Sequence, residues 1–176
     1  LLATVSTTAA LVAGTAPQAA ADVHAAVVTI TYSDAQAGEF VNAVAQGVAI
    51  WNASVTNVRI VKAAAGQRAD VQVIADNGWP RATLGPVRPG GRGTVWMGRE
   101  AVNDGYNVVR IASHEFGHIL GLPDRKPGPC SSLMSGSSAG VSCTNPNPNS
   151  TERSRVQSLY AGWLAPSADV GKVLVG

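Results

Sequence analysis

HEFGHILGLPD, residues 114–124, sets two histidines four apart, a glutamate beside the first, a glycine three beyond the second and an aspartate three beyond that. From Asn107 to Leu120 the apolar positions Val108, Ile111, Ala112, Phe116, Ile119 and Leu120 recur at helical spacing, and Gly121 followed by Pro123 ends the run. His114 and His118 therefore leave one helix face about one turn apart. That spacing lets both imidazoles reach a single zinc ion at roughly 2.0–2.1 Å. Glu115 lies where a carboxylate touches the water on the metal rather than the metal, which suits a general base.

A zinc site needs a third ligand, and the chain has three histidines, of which only His24 lies outside the motif. The third ligand is then expected to be a carboxylate or a thiolate. Gly121 can take the positive φ of a helix C-cap, and the turn after it brings Asp124 back towards the histidines. Asp124 is the preferred ligand on that geometry, with Glu152, the one glutamate downstream, as its competitor. The plainer alternative is a pair of structural histidines. It leaves the glutamate, glycine and aspartate at these offsets without a reason.

With 176 residues, 45% hydrophobic and 14% charged, the chain fits one globular domain that can bury a core. The formal net charge is +2, and Arg81, Arg88, Arg92 and Arg99 are spread through a Gly/Pro-rich loop and its flank. No field is expected that would draw in nucleic acid or an anionic membrane. LLATVSTTAALVAGTAPQAAA, residues 1–21, carries no charge, is broken by Thr, Ser and Pro17, and ends in three alanines. Residues 1–24 are read as the remnant of a secretory leader, too short and too polar to span a bilayer. Export makes Cys130 and Cys143 most simply one disulfide, worth roughly 2–4 kcal/mol by restricting the unfolded chain. A zinc-ligand pair and two free thiols are the rivals.

Upstream of the motif, AAVVTITY (25–32), NVRIVKA (57–63) and DVQVIAD (70–76) alternate as strands. Ser33 and Gln36 form a capping-box pattern ahead of Phe40, Val44, Val48 and Trp51, which recur at helical spacing. A crossover helix between the first two strands predicts a mixed sheet. Residues 77–93 hold five Gly and three Pro and are expected to form a long loop, leading into GTVWMG (93–98), an edge strand suited to accept an extended peptide. Beyond the motif, 125–149 reads as irregular and stapled. Asn149 and Glu152 then start a last helix carrying Val156, Leu159, Tyr160 and Trp163, and APSADVGKVLVG reads as a loose tail.

His114-Glu115-Phe116-Gly117-His118-Ile119-Leu120-Gly121-Leu122-Pro123-Asp124 resembles the HExxHxxGxxD signature of the snapalysin family, small secreted neutral metalloproteases of the metzincin clan. Ser131-Ser132-Leu133-Met134-Ser135-Gly136 is similar to the metzincin Met-turn, which implies Met134 beneath the metal. Pro129-Cys130 and Ser142-Cys143-Thr144-Asn145-Pro146 resemble the family's disulfide-bonded loop, and Glu152-Arg153-Ser154-Arg155-Val156 its C-terminal helix. The chain departs from the family at Arg125-Lys126, where members often carry aromatic or His residues that shape the pocket and polarise the substrate. Some members also hold calcium near the start of the active-site helix through an Asp. Asn107 stands here, which disfavours calcium as a second ion.

The expectation is an α/β protein of the α+β metzincin type: a twisted mixed sheet, two long helices, a zinc cleft, and a small irregular C-terminal subdomain ending in a helix. The catalytic domain would span residues 25–176, dividing into subdomains 25–121 and 122–176. Its function would be secreted zinc endopeptidase, with one zinc ion on His114, His118 and Asp124, Glu115 as general base, and protein or peptide substrates. A monomer with no nucleic-acid partner and no membrane association is the default. The alternative from another class is a secreted binding or adhesion module with a structural zinc and no hydrolysis.

Overall fold

The computed structural model describes residues 27–161. The leader reading of residues 1–24, His24, Trp163 and the tail 165–176 lie outside the described residues. Five strands form one sheet in the order β2-β1-β3-β5-β4, with β1 Val28–Gln36, β2 Val58–Lys62, β3 Val71–Asp76, β4 Arg81–Ala82 and β5 Gly93–Gly98. β1, β2, β3 and β5 run parallel, and β4 is antiparallel to β5, so the sheet is mixed. No helix among the described residues is long and apolar enough to cross a membrane.

Alternation dictates which face is covered. Val28, Ile30 and Tyr32 of β1, Val58 and Ile60 of β2, and Val71 and Val73 of β3 are buried, whereas Thr29, Arg59 and Gln72 between them are exposed. Helix α1 (Val41–Ser54) crosses from β1 to β2 over the buried face, and α3 (Val108–Ile119) packs beside it in the same core. The two helices meet closely at Gly47, where a Cβ would lie 2.9 Å from the backbone nitrogen of Ser113. One turn on, the fully buried Trp51 donates its indole N–H to the Ser113 carbonyl at 2.8 Å. Phe116 of α3 meets Tyr32 of β1 edge to face, with ring centroids 5.9 Å apart. α1 is thus a template against which α3 is laid.

Two expectations are corrected. Ser33 and Gln36 do not cap a helix: both belong to β1, where Ser33 pairs with Gln72 and Gln36 with Ile74. The ladder holds them extended, and α1 starts without a side-chain cap after a 3-10 turn at Gly38–Phe40. GTVWMG is also not the edge of the sheet, because Trp96 and Val95 of β5 pair with Arg81 and Ala82 of β4. The Gly/Pro-rich loop doubles back and supplies the edge itself. A short helix α2 (Arg99–Asn103) after β5 was not foreseen.

The Asn149/Glu152 capping box does form: the Asn149 side chain accepts from the Glu152 N–H at 2.9 Å, and the Glu152 carboxylate accepts from the Asn149 N–H at 2.7 Å, at the start of α4 (Ser150–Ala161). Glu152 is buried and reaches further, accepting from Ser132 Oγ at 2.7 Å and from the backbone N–H groups of Leu133 at 3.2 Å and Met134 at 2.9 Å. One carboxylate therefore ties α4 to the loop of Met134. Glu152→Ala strands these donors and is expected to lose about 2–4 kcal/mol of stability. The check is the urea midpoint at unchanged m-value. A loss below about 0.5 kcal/mol would mean that water replaces the carboxylate.

Candidate metal centre

Asn107 opens α3, its side chain accepting the Arg110 N–H at 2.9 Å. At the other end Gly121 has φ +98°, which L side chains rarely adopt, and the Gly121 and Leu122 N–H groups bond to the carbonyls of His118 and Gly117, each at 2.9 Å. These two hydrogen bonds close the helix and reverse the chain. The reversal presses the Leu122 carbonyl against His118 Nδ1 at 2.7 Å and delivers Asp124 to the histidines.

Asp124 Oδ1 stands 3.2 Å from His114 Nε2 and 3.6 Å from His118 Nε2. Ligand atoms of His114, His118 and Asp124 all lie within 4.8 Å of one another. The Leu133 carbonyl meets His114 Nδ1 at 3.0 Å, as the Leu122 carbonyl meets His118 Nδ1. A carbonyl can only accept, so each ring keeps its proton on Nδ1 and turns the Nε2 lone pair inward. Two imidazoles and one carboxylate are a donor set that suits zinc, and a three-donor set leaves the fourth position open. The Cys130–Cys143 pair forms a disulfide, with Cα atoms 5.5 Å apart, so neither sulfur is available as a ligand. Glu152 is equally committed elsewhere.

The electrostatics follow from burial and proximity. Burial opposes the charged form of His114, but its hydrogen bond to Asp124, the charge of Glu115 and its bond to the Leu133 carbonyl together raise its pKa. Burial, then the charge of His114, lowers that of His118. The His114 hydrogen bond holds Asp124 well below the usual carboxylate range. Burial pushes Glu115 up to about 7. One Glu115 oxygen, Oε2, is buried without a hydrogen-bond partner, an arrangement that folding alone does not favour. Two imidazole nitrogens and a carboxylate oxygen that converge beside this unpartnered oxygen fit a metal.

Met134 lies beneath this turn of α3. A Cβ at Gly117, between the two histidines, would stand 2.6 Å from the Met134 sulfur and 3.3 Å from the Trp51 ring. Arg110, one turn before His114, is buried and donates to the carbonyls of Ser132 at 2.9 Å, Leu133 at 3.4 Å and Asn145, and to Ser135 Oγ at 3.0 Å. Arg110 and the reach of Glu152 to the Met134 loop were missed from the sequence. The available signal was an arginine inside the apolar run of α3.

A cleft of about 460 Å³ opens onto His114, Glu115, His118 and Asp124. Its rim is β4 with the flanking Trp79 and Leu84, and Trp79 packs edge to face on Tyr106 with centroids 5.7 Å apart. The family model described as Streptomyces extracellular neutral proteinase (M7) matches residues 27–163. The chain belongs to this family. It is 42% identical over 159 residues to an extracellular small neutral protease of Streptomyces coelicolor, covering 90% of this chain and 72% of that one. Against the protein of the same description from Streptomyces caespitosus the identity is 43% over 134 residues, 76% of this chain and 98% of that one. Among solved structures, the hatching enzyme zinc-protease HCE-1 of medaka, Oryzias latipes, aligns with 56% of this chain and 46% of its own at 24% identity and a TM-score of 0.42.

Within α3, Gly117 leaves room for Met134, and Gly117→Ala overpacks that contact. It is expected to lose about 1–3 kcal/mol. Adding Met134→Ala removes the atoms in the way, so the double variant should lose less than the sum of the two singles in thermal or urea unfolding. Additive losses would show that Met134 does not limit this position.

Proposed function

We propose that this chain is a secreted zinc endopeptidase, with His114, His118 and Asp124 as the ligands of one zinc ion and Glu115 as general base. One observation carries the reading: two inward-facing Nε2 atoms and a carboxylate oxygen converge beside a buried glutamate oxygen that has no partner, on the floor of an open cleft. When bound, zinc supplies the Lewis acidity that acidifies a coordinated water and polarises the scissile carbonyl. Glu115 would take the proton of the attacking water and later give it to the leaving amine nitrogen. Burial suits Glu115 to both roles, because it brings the carboxylate's affinity for protons close to neutrality.

The substrate would run extended along the outer side of β4, whose other side is taken by β5. An edge strand offers its unpaired backbone groups to an added strand. The proposed subdomains, 25–121 and 122–176, would contribute the two walls of the cleft, and the chain would act as a monomer. The family's description and the names of the relatives, all extracellular neutral proteases, support export and proteolysis and lend nothing to a binding module.

The test is digestion of casein by the zinc-loaded protein, after removal of the metal with a chelator, and after zinc is returned. Cleavage should vanish and come back. Glu115→Gln should keep its zinc while kcat falls by about 10²–10⁴-fold. Cleavage indifferent to the chelator would sink the zinc assignment, and full turnover by Glu115→Gln would remove the base.

A further inference from the structure

Three cationic residues besides the histidines line the cleft: Arg81, Arg110 and Lys126. Two of them are engaged. Arg110 is buried and spends its guanidinium on backbone carbonyls and Ser135. Arg81 binds Asp76 at 2.8 Å and lies over the Trp96 ring at 4.7 Å. Lys126 is different. Among the described residues its ammonium has one hydrogen-bond partner, Asp124 Oδ2 at 3.0 Å, although it carries three N–H donors.

Asp124 Oδ1 faces the histidine rings, while Oδ2, on the same carboxylate, holds Lys126. Gly136 permits this position: a Cβ there would lie 2.6 Å from Lys126 Cε, 3.2 Å from its Nζ and 3.2 Å from His114 Cε1. Lys126 Nζ and the His114 ring thus flank Gly136 on the cleft wall that Glu115 also lines, and the Lys126 side chain is 38% exposed. A fixed cation with unused donors, tethered to a carboxylate at the rim of the reacting centre, is arranged in advance for charge that develops there.

We propose that Lys126 is a catalytic residue of the hydrolysis, donating a hydrogen bond to the scissile carbonyl oxygen as that oxygen gains charge. This rests on the zinc-peptidase reading. In the step concerned, the water oxygen bonds to the carbonyl carbon and the carbonyl π pair moves onto its oxygen. The water proton goes to Glu115. Lys126 donates a hydrogen bond and keeps its proton. When the C–N bond breaks, that pair returns to the carbonyl and the Glu115 proton goes to nitrogen. The contact strengthens only as the oxygen becomes anionic, so it acts on kcat rather than on substrate binding.

The experiment compares zinc-loaded wild type, Lys126→Met and Lys126→Arg on a peptide substrate without acidic side chains. Zinc affinity is measured by chelator competition. Binding of a phosphinic peptide, which carries a tetrahedral anionic oxygen, is measured by calorimetry, and binding of the uncleaved substrate is measured in the Glu115→Gln background. Lys126→Met should lower kcat and phosphinic-peptide affinity together by about 10²-fold. KM, substrate binding and zinc affinity should stay within about twofold, and Lys126→Arg should recover part of the loss. A parallel fall in zinc affinity would overturn the proposal in favour of Lys126 positioning Asp124. A loss confined to KM, seen only on a matched peptide with acidic side chains assayed in parallel, would overturn it in favour of a specificity residue, and no change would make it a solvated lysine. Failure of the underlying reading would be visible in wild type, as absent zinc or absent cleavage, and would take this proposal with it.

Discussion

Helix α3 has to stop at Gly121, and both walls of the cleft depend on that stop. A helix end leaves carbonyls without partners, and here they are used rather than left to water. Gly121 and Leu122 close the last turn. The loop before β5 then docks on the same end, with the Gly85 N–H on the His118 carbonyl at 2.8 Å and the Val87 N–H on the Ile119 carbonyl at 2.9 Å. A Cβ on Gly85 would lie 2.0 Å from the Ile119 carbonyl oxygen, so the approach is one of backbone to backbone. The loop that carries β4 is thus fastened to the helix that carries the histidines. The same helix end that returns Asp124 also fixes the rim across from it.

The segment after Asp124 has little regular structure and is held by polar groups instead. Arg110 reaches it from α3 and Glu152 from α4, and they meet at Ser132, whose carbonyl takes the arginine and whose hydroxyl gives to the glutamate. Burial lowers the pKa of Arg110, and the charge of Glu152 partly opposes that shift. Buried charges contribute little net stability against apolar replacements, but they tolerate few alternative positions once their partners are backbone groups. Such a brace suits a turn whose Met134 must meet Gly117 and whose Leu133 carbonyl must meet His114. The disulfide between Cys130 and Cys143 closes the loop around the same turn.

Much of this was legible in the sequence, for identifiable reasons. Strands β1 to β3 declare themselves by alternation and α3 by its apolar period, and Gly121 carries its own reason in its backbone angle. Local patterns failed where a distant partner decided the outcome. Ser33 and Gln36 look like a cap until β3 pairs with them, and GTVWMG looks like an edge until a strand of two residues covers it. Gly and Pro in 77–93 correctly signalled irregular backbone, yet they do not say where the loop lands. The convergence of His114, His118 and Asp124 could be drawn from offsets along the chain, whereas the brace of Arg110 and Glu152 could not, because its partners are backbone carbonyls and N–H groups that no residue type advertises.

Glu115 is a point at which the chain parts from what folding alone would select. Its neighbours on α3, Ala112 and Phe116, are fully buried and apolar, and an apolar residue at 115 would complete the same surface. Instead a carboxylate is buried with one oxygen unpartnered, at an expense of about 1–3 kcal/mol for the missing bond. That expense is local, and the contacts around it are disposed to bear it: a helix stop whose carbonyls from Phe116 to Ile119 are taken, a braced loop and a crosslink. A protein in which local preference and global fold agree nearly everywhere departs from that agreement where chemistry requires it. Here the departure lies one residue from His114, inside the cleft. It gives Glu115 a functional reading on grounds independent of the spacing of His114, His118 and Asp124.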